Sequence, residues 1–276
     1  MLKEKIGFLG AGKMAEALAR GILAGKLVPR EQVAMSDVDD DRRTYVGNAL
    51  EVRMTDDNLA LVRASDVVIV ALKPGVVREV LPGLARAIGK NKLVVSIAAG
   101  ISLAELESLL APGTRVVRVM PNLACTVGRG AAAYSLGSAA READGDLVGR
   151  ILYTVGICFL LPERLLNVVT GLSGSGPAYA AVVIDALADG GVLGGLPRDV
   201  AVKLAAQTLL GAALLINEAE QGGKRGMHPA QLKDMVASPG GTTIEGLRVL
   251  EQYRLRAALI DAVEAGTRKA EELGRR

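Results

Sequence analysis

The chain has 276 residues, 50% of them hydrophobic but only 3% aromatic, with no tryptophan. That length suits two modest domains or one large one, with a core built from Ala, Val, Leu and Ile. The net charge of +3 comes from interspersed signs, with neither a basic block nor rings for base stacking, which excludes a nucleic-acid footprint.

In chain order, candidate strands fall at 5–10, 32–37, 66–72, 92–98, 115–120, 130–136 and 158–161, with a weaker one at 51–54. Helical patterns lie between most of them, including Met14–Gly25, Val76–Ile88 and Leu103–Leu110. Near-continuous apolar strands separated by helices predict a mostly parallel sheet covered on both faces, the doubly wound α/β class.

Beyond about Pro162 the strand signal ends. Residues 177–193, 199–219 and 245–272 are helical patterns rich in Ala and Leu. In the second, Ala201, Leu204, Ala205, Thr208, Ala212 and Leu215 recur at helical spacing. These helices carry more apolar surface than so short a region hides, which predicts burial against a second copy in a homo-oligomer. The organisation expected is a dinucleotide-binding domain over 1–162 and an all-α oligomerisation and substrate domain over 163–276.

The opening MLKEKIGFLGAG has no signal-peptide core, and VAVKLAAQTLLGAALLI is interrupted by Lys203 and Gln207, so no membrane span is expected. Cys125, Cys158 and the lone His228 make neither a disulfide framework nor a metal cluster. A cytoplasmic protein without a metal is the expectation.

The segment IGFLGAGKMAEALARGIL sets Gly10, Gly12 and Ala15 between a strand and a helix. The first glycine permits the tight turn, the second lets a pyrophosphate reach the backbone, and Ala15 keeps the helix close to the sheet. This is the Rossmann fingerprint, with phosphates at the helix N-terminus beside Lys13 and Met14. The next strand ends in SDVDDDRR. There Asp37 suits a ribose 2′-hydroxyl and hence NADH, whereas Ser36, Arg42 and Arg43 suit a 2′-phosphate, so NAD and NADP both stay open. Lys73, in VALKPGVV after Ala71, and Asn122, in RVMPNLA, end later strands on the ligand-binding edge.

Hydride transfer to a carbonyl needs a proton donor. The single His228 precedes a short helix and reads as a cap or surface residue, while Asp185 and Asp189 read as a polar helix stripe without a third ligand. An imine reduced as its iminium ion needs least from the protein. In ASPGGTTIEGL, Thr242 is expected to cap the last helix with Glu245 completing a capping box, and Thr243 keeps a hydroxyl for a substrate nitrogen. TGLSGSGPAYA reads as a second such helix start, with Ser173, Ser175 and Gly176 before Pro177 as first helical residue. Both starts suit a small carboxylate.

The stretches GFLGAGKMAEAL, TGLSGSGPAYA and HPAQLKDMVASPGGTTIEGL resemble the pyrroline-5-carboxylate reductase family through essentially the whole chain. The resemblance implies reduction of the cyclic imine Δ1-pyrroline-5-carboxylate to proline with NADPH or NADH, the last step of proline biosynthesis. It implies a Rossmann domain followed by a helical domain that builds an intertwined dimer, often assembled into larger rings. Carried over by position, cofactor contacts fall at Gly10, Gly12, Lys13, Met14, Ser36, Asp37, Ala71, Lys73 and Asn122. Substrate contacts fall at Ser175, Ser238, Gly241, Thr242 and Thr243, with Thr243 as partner of the ring nitrogen and Lys73 as the other catalytic candidate. This chain departs from the family pattern at Leu123 and Ala124, where Thr-Pro is more usual. It departs again in a longer segment before His228, where Glu218 or Glu220 stands for a Glu near the His-Pro. Two other readings keep the cradle: reduction of a different imine or keto acid, and a non-catalytic sensor of nicotinamide redox state.

Overall fold

The computed structural model describes residues 2–217 and 226–274; Glu218 and Glu220 lie outside them. The first part alternates strands and helices: β1 (Ile6–Leu9), α1 (Lys13–Ala24), β2 (Val33–Ser36), α2 (Asp40–Leu50), β3 (Arg53–Thr55), α3 (Asn58–Ala64), β4 (Val67–Val70), α4 (Pro74–Ile88) and β5 (Leu93–Ser96). It continues through α5 (Leu103–Ser108), β6 (Arg115–Met120), β7 (Gly130–Leu136), α6 (Glu142–Tyr153) and β8 (Gly156–Leu160). The strands form one eight-stranded sheet in the order β3-β2-β1-β4-β5-β6-β7-β8. All neighbours are parallel except β6 and β7, which pair Val117 with Leu136 and Met120 with Ala133.

β4 shows why these strands read as apolar runs. Val67 and Ile69 enter one core with Phe8, Leu18, Ile22 and Met35, and Val68 and Val70 enter the other with Val77, Leu81 and Leu106. Helices cover both faces, so successive side chains are all buried. The order reverses between β1 and β4, and their carboxyl ends open the crevice where ligands bind in this architecture.

After β8 the chain is helical: a 3₁₀ turn (Glu163–Leu165), α7 (Leu166–Val169), a π-helical turn (Thr170–Gly174), α8 (Gly176–Leu193), α9 (Arg198–Asn217), α10 (Pro229–Val236), α11 (Thr242–Gln252) and α12 (Leu255–Gly274). Three expectations are corrected here. TGLSGSGPAYA is not a loop that starts a helix, because the chain is helical from Glu163 to Leu193 and Ser175 has φ −84° and ψ −22°. Hydroxyls in this stretch bond back to carbonyls one turn earlier, Thr170 to Leu166 at 2.9 Å and Ser173, which the sequence suggests for the helix start, to Val169 at 3.1 Å. Nor is 245–272 one helix: it breaks after Gln252, and Arg254 turns left-handed with φ +57°. Thr242 is the first helical residue rather than the cap of α11, the cap is Gly241, and Glu245 pairs with Arg248 at 3.0 Å.

The chain packs as two compact units. One holds the residues up to Ser175 together with those from Val263 onward, and the other holds Gly176–Ala262. The expected division at residue 162 follows the end of the strands; packing carries the first helical turns and the C-terminal half of α12 into the unit of the sheet. Gly171 is the reason on one side, since a Cβ there would lie 2.5 Å from Val263 O. In the second unit α8 and α9 meet through Ala188, Ala201 and Ala205, with Ile184 and Val192 beside them. Val182, Leu187, Leu204 and Leu215 stay exposed. The runs Glu163–Leu193 and Arg198–Asn217 are long and apolar enough to cross a membrane by length and composition alone.

Candidate active site

The cradle is built at the switch point. Gly10 leaves β1 with φ +93°, and its N–H donates to Ser36 O at 2.9 Å. Ala71 N–H donates to Leu9 O at 2.8 Å, and a Cβ on Gly10 would sit 2.7 Å from Ala71 O. Gly12 is the N-cap of α1, and a Cβ there would meet nothing within 4 Å. A glycine cap supplies no oxygen to the first amides of the helix, Lys13 and Met14 among them. By contrast α2, α3 and α5 are capped by the side chains of Asp39, Asp57 and Ser102. An open, amide-lined space at a helix N-terminus fits a pyrophosphate. Gly10→Ala is expected to cost about 1–3 kcal/mol from the left-handed backbone and to weaken dinucleotide binding. Thermal unfolding and a fluorescence titration read the two effects, and wild-type values in both would discount this packing.

The rim of the crevice is held by charge. Asp37 Oδ2 accepts from Ala11 N–H at 2.8 Å and Oδ1 from Asp39 N–H at 3.1 Å. Arg42 donates to Ala11 O and to Glu16, each at 2.6 Å, and lies over the Tyr45 ring at 5.2 Å. Arg43 donates to Asp37 O and to Asp40, both at 2.8 Å. Burial opposes ionisation of Glu16, but hydrogen bonds from Arg20 and Arg42 outweigh it and hold the carboxyl below its ordinary range. Ser36 is buried, and its hydroxyl donates to Asn58 Oδ1 at 2.6 Å. Asn58, at the start of α3 just past β3, is the rim residue that sequence reasoning missed. Its signal is a polar side chain one strand beyond Asp37 on the same edge.

Lys73 is the N-cap of α4, exposed, with Pro74 as the first helical residue, so this helix start also stands at the switch point. Asn122 is turned inward. Its Oδ1 accepts from Ala131 N–H at 3.1 Å, and its Nδ2 donates to Ser173 O at 3.0 Å. Ser173 is four residues before Pro177, whose ring nitrogen has no hydrogen for that carbonyl, and the Asn122 amide takes its place.

In the second unit, Ser238, Pro239, Gly240 and Gly241 form a β-turn. Gly240 has φ +65°, and Gly241 N–H donates to Ser238 O at 3.1 Å. Gly241 then caps α11 with φ −82° and ψ 175°, close to the −62° and 175° of Gly12. Ser238 and Thr242 are exposed, and Thr243 is half-buried in the first turn. Ser175 lies in the first unit, at the end of the π-helical turn. His228 caps α10, its Nδ1 accepting from Ala230 N–H at 3.2 Å, as its sequence context predicts. Asp189 pairs with Arg198. Among the described residues no three His, Cys, Asp or Glu side chains group to hold a metal. Both cysteines are free and buried, and burial pushes the Cys158 thiol up to about 11.

A doubly wound sheet with a glycine-capped helix at its switch point, followed by an all-α region, defines a dinucleotide-dependent oxidoreductase with a helical assembly domain. The chain belongs to the pyrroline-5-carboxylate reductase family. A family model described as pyrroline-5-carboxylate reductase dimerisation matches residues 163–273, and one described as NADP oxidoreductase, coenzyme F420-dependent, matches residues 5–100. The chain is 45% identical over 276 residues to the pyrroline-5-carboxylate reductase of Methanosarcina acetivorans, covering 100% of each. It is 44% identical to that of Arabidopsis thaliana, over 98% of this chain and 95% of that one. The structure of a pyrroline-5-carboxylate reductase from Coxiella burnetii superposes with TM-score 0.92 at 31% identity, over 99% of each chain. That of the Plasmodium falciparum enzyme with NADP bound superposes with TM-score 0.85 at 31% identity, also over 99% of each. The residues matched by the dimerisation family include α8 and α9, whose Val182, Leu187, Leu204 and Leu215 are exposed.

Proposed function

We propose that this chain reduces Δ1-pyrroline-5-carboxylate to L-proline. A nicotinamide dinucleotide held in the cradle would supply a hydride to the imine carbon, and the nitrogen, entering as the iminium ion, would keep its proton. No side-chain acid is then needed, which agrees with a lone histidine already engaged as a cap. The first amides of α1, at Gly12, Lys13 and Met14, hold the pyrophosphate; Ala71 and Lys73 border it, and Asn122 shapes the β6–β7 connection beside it. The turn Ser238–Gly241 and the first amides of α11 at Thr242 and Thr243 hold the substrate carboxylate, while the Thr243 hydroxyl orients the nitrogen. Positioning supplies most of the rate.

The observation that carries this reading is the glycine cap of α11. A helix start with no capping oxygen of its own, after a turn that bares its amides, suits a small carboxylate. The domain roles proposed are dinucleotide binding over 1–162 and dimerisation and substrate binding over 163–276. The assembly proposed is a homo-oligomer, a dimer or a ring of dimers, in the cytoplasm; light scattering after gel filtration reads its size. The deciding assay follows nicotinamide absorbance after adding pyrroline-5-carboxylate, with proline identified as product. Folded protein that oxidises neither NADPH nor NADH in the presence of this substrate would overturn the proposal.

A further inference from the structure

We infer that the cradle is built for the unphosphorylated dinucleotide, so that NADH is preferred over NADPH, with Asp37 as the residue that decides it. This rests on reading Gly10–Met14 as the cofactor cradle. At the carboxyl end of β2 three groups could in principle receive a 2′-phosphate, and each is already committed. Ser36 is buried beneath the rim and its hydroxyl is bonded to Asn58. Arg42 is held by Ala11 O and the Glu16 carboxylate, and Arg43 by Asp37 O and the Asp40 carboxylate.

The N-terminus of α2 is filled by the protein's own anion. Asp39 caps it, accepting from Arg42 N–H at 3.1 Å. A 2′-phosphate would have to displace a carboxylate from an arginine or from a helix cap. It would also sit among Asp37, Asp39 and Asp40, with Glu16 adjoining from α1. Like charges at such range disfavour it.

The same geometry suits a ribose diol. Two backbone N–H groups, of Ala11 and Asp39, hold the two Asp37 oxygens in place. Each oxygen keeps lone-pair capacity to accept from a hydroxyl. Because Ala11 lies between the two glycines of the cradle, the bond from its N–H sets the carboxylate against the phosphate-binding turn. In a dinucleotide the adenosine ribose is the next group along from the pyrophosphate. Arg42, stacked on Tyr45, serves as a brace between the turn and α2.

The test is a pair of equilibrium titrations on the full-length protein, following nicotinamide fluorescence with NADH and with NADPH, beside steady-state assays with pyrroline-5-carboxylate. NADH is expected to bind at least about tenfold more tightly, and Asp37→Ser to narrow or reverse that ratio. Glu16→Gln, which leaves the ribose contact intact and frees Arg42 from its ion pair, is expected to strengthen NADPH binding while NADH binding stays within about twofold. Equal or tighter NADPH binding by the unmodified protein would overturn the inference, and turnover would still uphold the proposed reaction. Tight NADH binding without turnover would do the reverse, leaving the preference standing and the reaction refuted.

Discussion

Thr243→Ala is expected to lower kcat/KM for pyrroline-5-carboxylate by about 30-fold to 900-fold, the equivalent of about 2–4 kcal/mol of transition-state stabilisation. Thr243 is the second residue of α11, and the cap before it is a glycine. Its hydroxyl is therefore not required to cap the helix, and a methyl in its place leaves backbone and fold intact. The expected loss is that of the proposed hydrogen bond to the substrate nitrogen, one that would tighten as the imine carbon accepts the hydride. Dinucleotide affinity should be unchanged, because the cradle belongs to a different compact unit. Thr243→Ser should restore most of the rate, since it keeps the hydroxyl. An alanine variant with wild-type kcat/KM, on product verified as proline, would take Thr243 out of the reaction.

The second large effect is on stability. Glu163→Ala is expected to cost about 3 kcal/mol and to lower Tm by about 6–12 °C. Glu163 Oε1 accepts from Arg118 Nη1 and from Leu103 N–H, each at 2.7 Å. It thereby ties the start of the helical run to β6 and to the beginning of α5. The Arg118 side chain is only 10% exposed, so removing the carboxylate leaves a buried guanidinium without its ion-pair partner. The Glu163 side chain, at 31% exposure, keeps some water contact in the folded chain, and this screening holds the figure at the low end of the range for a broken buried pair. Arg118→Leu combined with Glu163→Leu should lose less than Glu163→Ala alone, because no unpaired charge remains. Thermal unfolding of the three proteins decides it; equal losses would mean that the pair is not what holds this corner.

Local chemistry explains what could be read without coordinates. Each strand signal is a short run rich in apolar residues, and the sheet contains a strand at each one, including the weak 51–54 stretch that becomes β3. The fingerprint at Gly10 and Gly12 is legible because only glycine suits φ +93° at the first position and open space for a ligand at the second. The Pro-Gly-Gly turn is legible for the same reason. The break between α11 and α12 was not. Its left-handed residue is Arg254, where a helix end is normally announced by glycine or asparagine. The helical course of TGLSGSGPAYA was hidden as well. Its glycines mark close approach, Gly171 to α12 and Gly174 to Met120, and its hydroxyls bond back along the helix instead of capping it.

For this protein the sequence alone determined the doubly wound class, the position of the cradle and the family resemblance, because each depends on residues adjacent in the chain. The tertiary structure decided how polar side chains are engaged, which depends on partners far apart in sequence. Asn122 serves the carbonyl that Pro177 cannot, Ser36 turns to Asn58, and Arg42 is drawn to Glu16 across 26 positions. Asp37 and the arginines beside it therefore read as conflicting signals in a line of letters. In the folded chain Arg42 and Arg43 pair with the carboxylates of Glu16 and Asp40, and the Asp37 oxygens accept from the N–H groups of Ala11 and Asp39.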